Sequence, residues 1–133
     1  MNVLFVCKYN RFRSKLAEAF FNKLGKKHLA KSAGIIKGPP IDEAIRHCAH
    51  QNGVEINGVP KMLDVSKLNW SDMIVIVADD VQTSSLTDKF PNMNKMIRKW
   101  DIHDTSNKNT AEMNRIAKLI RNKVLELIAE IDK

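Results

Sequence analysis

An α/β architecture, with a parallel sheet covered by helices on both faces, is the fold class this sequence predicts. Short β-rich apolar runs alternate with stretches of helical periodicity along the whole chain. The run "MIVIV" (73–77) is continuously apolar, as expected of a strand buried on both faces. The C-terminal segment is an extended amphipathic helix with no strand after it.

Residues 2–6, "NVLFV", have the length and β-branched content of a buried strand. Leu16, Ala17, Phe20, Phe21 and Leu24 then recur at helical spacing over 14–25, and Gly25 is a natural stop. "HLAKSAG" (28–34) reads as the second strand, and "GPP" (38–40) breaks the chain. Ile41, Ala44, Ile45, Cys48 and Ala49 share one face of a helix over 41–52, with Asp42 and Glu43 in its first turn, near the positive end of the dipole. Residues 54–71 read mostly as loop, with a short helical turn at "VSKLN". After the strand at 73–77, "VQTSSLTDKF" fits a short helix ahead of Pro91, and 95–100 the last strand. From Thr110 to Asp132 apolar residues fall at Met113, Ile116, Ala117, Ile120, Val124, Leu127, Ile128 and Ile131. The order is β-α-β-α-β-α-β-α, with no repeat and no linker, so one domain over 1–133 is expected. In such sheets ligands bind beyond the carboxyl ends of the strands.

Lys and Arg number 22 against 15 Asp and Glu, a formal charge of +7, which favours anionic partners. Few aromatics interleave with the basic residues, and no run reaches five like charges. Nucleic acid is therefore not the expected partner. No apolar run approaches the roughly 18 residues of a membrane span, and the N-terminus has no basic leader, so a cytoplasmic protein is expected. Cys7 and Cys48 form no metal-type cluster, and no metal is expected. Cys48 lies on an apolar helix face and reads as core.

Cys7 is different. It ends the first strand and opens "CKYNRFRS" (7–14), which leads straight into a helix. A strand-to-helix loop aims backbone N–H groups at a common point, and the helix dipole adds to the field. That environment binds anions and favours a thiolate over a thiol. Arg13 brings a planar, forked cation able to grip two oxygens at once. Ser14 can cap the helix or donate its hydroxyl to the Cys7 sulfur, and Asn10 tolerates left-handed backbone and can hold the loop with its amide. Nucleophile, oxyanion cradle and clamp together suit phosphoryl transfer.

"VLFVCKYNRFRSKLAEA" resembles the start of the low-molecular-weight protein tyrosine phosphatase family, whose signature is Cys–x5–Arg–Ser/Thr after the first strand. The similarity extends to "SAG" (32–34), "SDMIVIVADD" and "WDIHDTS". It implies a three-layer sandwich with a four-stranded parallel sheet in order 2-1-3-4. It also implies hydrolysis without cofactor or metal, and a cysteinyl-phosphate intermediate. Substrates would be phosphotyrosine proteins or small aryl phosphates, bound by Lys8, Tyr9, Asn10, Arg11, Phe12, Arg13 and Ser14. The protein would be a monomer or weak dimer. The family's general acid is an aspartate near the C-terminus; the matching position is Asp104, followed by Thr105 where relatives usually have proline, and Asp101 is the competing candidate. Phe12 stands where many relatives carry a second loop cysteine, so peroxide inactivation is expected to reverse poorly. Tyr9, Phe12 or Trp100 would supply an aromatic wall. The alternatives are a thiol-dependent arsenate reductase of the same fold, against which 78–90 lacks relay cysteines, and a non-catalytic oxyanion-binding module.

Overall fold

Strand β1 (Asn2–Cys7) sits near the middle of the sheet and has apolar neighbours on both sides. The computed structural model describes residues 1–56 and 58–133. In chain order the other elements are α1 (Arg13–Leu24), β2 (Leu29–Gly34), α2 (Glu43–Gln51), α3 (Val65–Trp70), β3 (Met73–Val77), α4 (Ser84–Thr87), β4 (Met96–Trp100) and α5 (Thr110–Ile131). The four strands form one sheet in order β2-β1-β3-β4. All pairs are parallel, with Cys7 opposite Gly34, Val6 opposite Ile76, and Val77 opposite Trp100.

Alternation along the strands sorts the core into two layers. Val3, Phe5, Met73, Val75 and Val77 face one way and pack with Leu16, Phe20 and Phe21 of α1, Ile45 of α2, and Ile116 and Ile120 of α5. Leu4, Val6, Ile74 and Ile76 face the other way, onto Leu68 of α3, Leu86 of α4 and Val81 in the loop before α4. Both faces of the sheet are therefore covered, which is why β1 and β3 are apolar at every central position rather than at alternate ones.

Element boundaries differ from the sequence expectation where polar side chains intervene. Helix α2 begins at Glu43 rather than at 41, because Asp42 is extended (φ −101°, ψ 175°) and caps the helix by accepting from Ile45 N–H. The helical turn expected at "VSKLN" is α3, one residue longer and capped by Asp64, and Met62 just before it forms a parallel bridge to Gly34. Among the described residues, no helix is long and apolar enough to cross a membrane.

Candidate active site

The loop after β1 lies at the carboxyl rim of the sheet, where β1 ends on Cys7 and α1 begins at Arg13. Two features bend residues 8–12 into a tight turn. Asn10 adopts φ +54°, the only non-glycine residue with positive φ among the described residues. Gly34, at the end of β2, lies directly against the loop backbone. A Cβ there would sit 2.9 Å from the Tyr9 carbonyl carbon, 3.0 Å from Asn10 N and 3.1 Å from Lys8 O. The loop thus needs a residue without a side chain beside it.

Asn10 is completely buried and serves as the loop's internal fastener. Its Nδ2 group donates to Ser14 Oγ (2.8 Å) and to Ser32 Oγ (2.9 Å), and its Oδ1 accepts from Lys61 N–H (2.9 Å). Ser32 in turn donates to Glu18 Oε1 (2.7 Å). Ser14 Oγ accepts from Asn10 and lies 2.9 Å from Cys7 Sγ, where either group can donate. Ser14 stands beside the Cys7 sulfur and does not cap the helix; Phe12 holds the helix-cap position, with no side-chain capping bond.

On the outer side of the loop, the backbone N–H groups of Tyr9, Asn10, Arg11 and Phe12 meet no acceptor among the described residues. They adjoin the N-terminus of α1, whose first turn carries no acidic residue. Amides at a helix N-terminus with no internal partner form an anion cradle.

A cleft opens over the cradle, lined among others by Cys7, Tyr9, Phe12, Arg13, Asp104 and Thr105. Cys7 and Arg13 are both 2% exposed, yet both reach it. Arg13 is held from several directions. Nη1 donates to Ile102 O (2.9 Å), and Nη2 lies 3.0 Å from Asp80 Oδ1. Asp79 Oδ1 and Asp104 Oδ2 stand farther off, at 3.8 and 3.7 Å. Asp104 also caps its own turn, accepting from Thr105 N–H at 2.9 Å. Asp101, its competitor, is exposed and lies 3.7 Å from Lys99, outside the cleft lining.

The expected substrate segment therefore divides. Tyr9, Arg11, Phe12 and Arg13 line the cleft with Cys7. Asn10 and Ser14 act from beneath it, and Lys8 turns outward over the Tyr9 ring, its Nζ 5.2 Å from the centroid. Arg11 reaches sideways to Pro40 O and Asp42. Of the three aromatics open for a cleft wall, Tyr9 and Phe12 line the cleft, whereas Trp100 packs on Phe5 with ring centroids 5.8 Å apart, on the sheet face covered by α1 and α5. Cys48 is buried on α2, where burial raises its thiol pKa, opposed by a hydrogen bond from Asn52.

Several neighbours were not singled out from the sequence: Asp79 and Asp80 past β3, Glu18, His103, and the Asn107–Asp42 bond that ties the Asp104 loop to the start of α2. The two aspartates carry a signal, since "ADD" directly follows an apolar strand and so falls at the ligand-binding rim. Asn107 carries none.

Sheet order and cleft position define a parallel α/β protein with its site at the carboxyl rim of the strands. The chain belongs to the low molecular weight phosphotyrosine protein phosphatase family, whose model it matches over residues 2–133. It is thus a member of a family of phosphatases, enzymes whose substrates are phosphorylated. A low molecular weight protein tyrosine phosphatase from T. tengcongensis is 25% identical, with 98% of this chain and 99% of that one covered and a TM-score of 0.87. An arsenate reductase from Archaeoglobus fulgidus is 26% identical over 96% of this chain and 98% of its own, with a TM-score of 0.76. An arginine phosphatase from Geobacillus stearothermophilus, 18% identical with 98% and 92% covered and a TM-score of 0.84, shares the fold. No curated protein matches the chain in sequence.

Proposed function

We propose that this protein is a cysteine-dependent phosphatase acting on phosphotyrosine or other aryl phosphomonoesters, with Cys7 as nucleophile, Arg13 as oxyanion clamp and Asp104 as general acid. The observation that carries the reading is the convergence in one cleft of Cys7, the unpartnered amides of 9–12, Arg13 and Asp104. The Cys7 thiolate attacks phosphorus in line while Ser14 donates to the sulfur. The loop amides and the free guanidinium N–H groups take the non-bridging oxygens. As the P–O bond breaks, Asp104 gives its proton to the departing oxygen. Asp104, now a carboxylate, takes a proton from water, whose oxygen displaces the Cys7 sulfur and releases inorganic phosphate. The residues 1–133 act as one catalytic domain in this reading, and the cytoplasm is the compartment in which its free thiol stays reduced.

The test is a pair of substitutions. Cys7→Ser should abolish turnover of p-nitrophenyl phosphate while phosphate or vanadate still binds; normal hydrolysis by this variant overturns the reading. Asp104→Ala should lose more rate with poor leaving groups than with good ones, and an even loss removes Asp104 from the acid role.

A second reading, arsenate reduction, is favoured by the 26% identical arsenate reductase. The cleft offers no second thiol among its lining residues, and Cys48 is engaged with Asn114 and Asn52 on α2. An external thiol would have to complete the cycle. Arsenate with glutathione, assayed beside aryl phosphates, separates the two.

A further inference from the structure

Asp104 stands on a loop with few ties of its own. Within the loop its carboxylate accepts only from Thr105 N–H, and Arg13 is 3.7 Å away. The loop is instead fastened at two flanking points. Beyond it, Asn107 reaches Asp42. Just before it, His103 Nδ1 lies 2.8 Å from Asp79 Oδ2. Asp79 makes three contacts in this region. Its N–H donates to Ile102 O at 3.0 Å, the same carbonyl that accepts from Arg13. One carboxylate oxygen takes His103, and the other faces Arg13 Nη1 at 3.8 Å. The residue next to the acid and the guanidinium that the acid faces are thus referenced to one side chain on the end of β3.

We propose that Asp79 and His103 form a brace that sets Asp104 against Arg13, making both of them positioning residues for proton delivery to the leaving group. The inference rests on the acid role given to Asp104 above. His103 is 73% exposed, so without Asp79 its imidazole would be free in solvent and the chain between Ile102 and Asn107 would pivot. The brace is strongest when His103 is charged. The hydrogen bond His103 donates to Asp79, and the Asp79 charge, raise the His103 pKa, Glu112 on α5 adds to this, and burial and Arg13 on α1 oppose it. Asp79 is correspondingly lowered, first by its hydrogen bond to His103, then by the His103 and Arg13 charges. Asp80 and Asp104 complete the charged groups around Arg13. A raised imidazole pKa means the brace is fully present below the ordinary histidine value and is lost as pH climbs through the raised one.

The experiment is a leaving-group series of aryl phosphates measured across pH for the wild type, Asp104→Ala, His103→Ala, His103→Gln and Asp79→Ala, with Tm and vanadate affinity recorded for each. His103→Ala and Asp79→Ala should lose about threefold to tenfold in kcat on the poorest leaving groups. On p-nitrophenyl phosphate and in vanadate affinity His103→Ala should match the wild type, whereas Asp79→Ala, which also removes a carboxylate facing Arg13, should bind vanadate more tightly. The double variant should be no worse than either single one. In the wild type the poor-to-good leaving-group ratio should fall as pH rises through the histidine transition. In His103→Gln, which keeps an uncharged donor, part of the rate should return and that pH step should vanish. If both single variants keep the wild-type leaving-group slope while Asp104→Ala steepens it, the brace is overturned and the acid assignment stands. If Asp104→Ala itself shows no leaving-group dependence, both fall.

Discussion

Replacing Gly34 with alanine tests whether the loop after β1 owes its shape to the backbone beside it. The added Cβ would lie 2.9, 3.0 and 3.1 Å from Tyr9 C, Asn10 N and Lys8 O. All three atoms are backbone, so no side chain can swing aside. Gly34 cannot retreat easily either. It pairs with Cys7 in the sheet, its N–H donates to Lys61 O at 2.7 Å, and its O accepts from Leu63 N–H at 2.9 Å. The loop is the softer partner and must move by a few tenths of an ångström to restore ordinary contact. Overpacking of this kind costs roughly 1–3 kcal/mol, seen as a Tm lower by several degrees. The same displacement moves the amides of Tyr9 and Asn10 relative to Cys7, and positioning errors of this order lower kcat/KM by about tenfold or more. Urea denaturation and p-nitrophenyl phosphate kinetics on the purified variant measure both. Wild-type stability together with wild-type kcat/KM refutes the steric argument. Reduced stability with unchanged kcat/KM refutes the claim that the loop takes up the strain.

Asp42→Ala should destabilise the fold by roughly 1 kcal/mol through loss of the α2 cap, and should free both Arg11 and Asn107 from their shared anchor. Partial burial would raise the Asp42 pKa, but hydrogen bonds from Asn107 and Ile45 and the Arg11 charge outweigh it and hold the carboxyl below its ordinary range. Its contribution is therefore present above the unfolded aspartate pKa and lost as pH falls through the lower folded value. Urea midpoints of the wild type and variant should converge in acid and separate near neutrality; a constant gap excludes this linkage. Hydrogen peroxide should inactivate the enzyme with little recovery on adding thiol, because the cleft lining includes no second sulfur to trap the sulfenic acid. Mass spectrometry should find sulfinic and sulfonic Cys7, whereas full recovery through a Cys7–Cys48 disulfide would contradict the placement of Cys48.

The elements were legible where burial alone decides them. "NVLFV" and "MIVIV" read as buried strands and form β1 and β3, the two central ones, and the periodicity of 110–132 matches α5 within a residue. Legibility failed where a polar side chain sets the boundary, as with Asp42 at α2, whose effect depends on which N–H group the carboxylate finds. In the site, Cys7, Asn10, Arg13 and Ser14 were visible because one short segment brings them together. Asp79, His103 and Asn107 were not, since each meets its partner across 24 or more positions of sequence. Trp100, which the sequence leaves open between cleft wall and packing, shows the same limit. Which face of an edge strand a residue occupies follows from register with β3, and no local pattern states that register.

Arg13 is where fold and chemistry constrain each other most tightly. A guanidinium this deeply buried must be compensated, and Asp80 at 3.0 Å, with Asp79 and Asp104 behind it, supplies more than enough negative charge. An incoming dianion is then repelled by the same carboxylates that keep the arginine in place. Two features offset this. Ile102 O and Asp80 occupy only part of a five-donor fork, so N–H groups remain for phosphate oxygens without breaking either bond. In the proposed mechanism the larger share of binding falls to the uncharged cradle, the amides of 9–12 at the start of α1, unpartnered among the described residues, which attract an anion while adding no counter-charge of their own. A site built this way can hold Asp104 close to the bound phosphoryl group at the cost of some affinity. That proximity is what the proposed proton transfer to the leaving oxygen requires, and it accounts for three aspartates around the one buried arginine among the described residues.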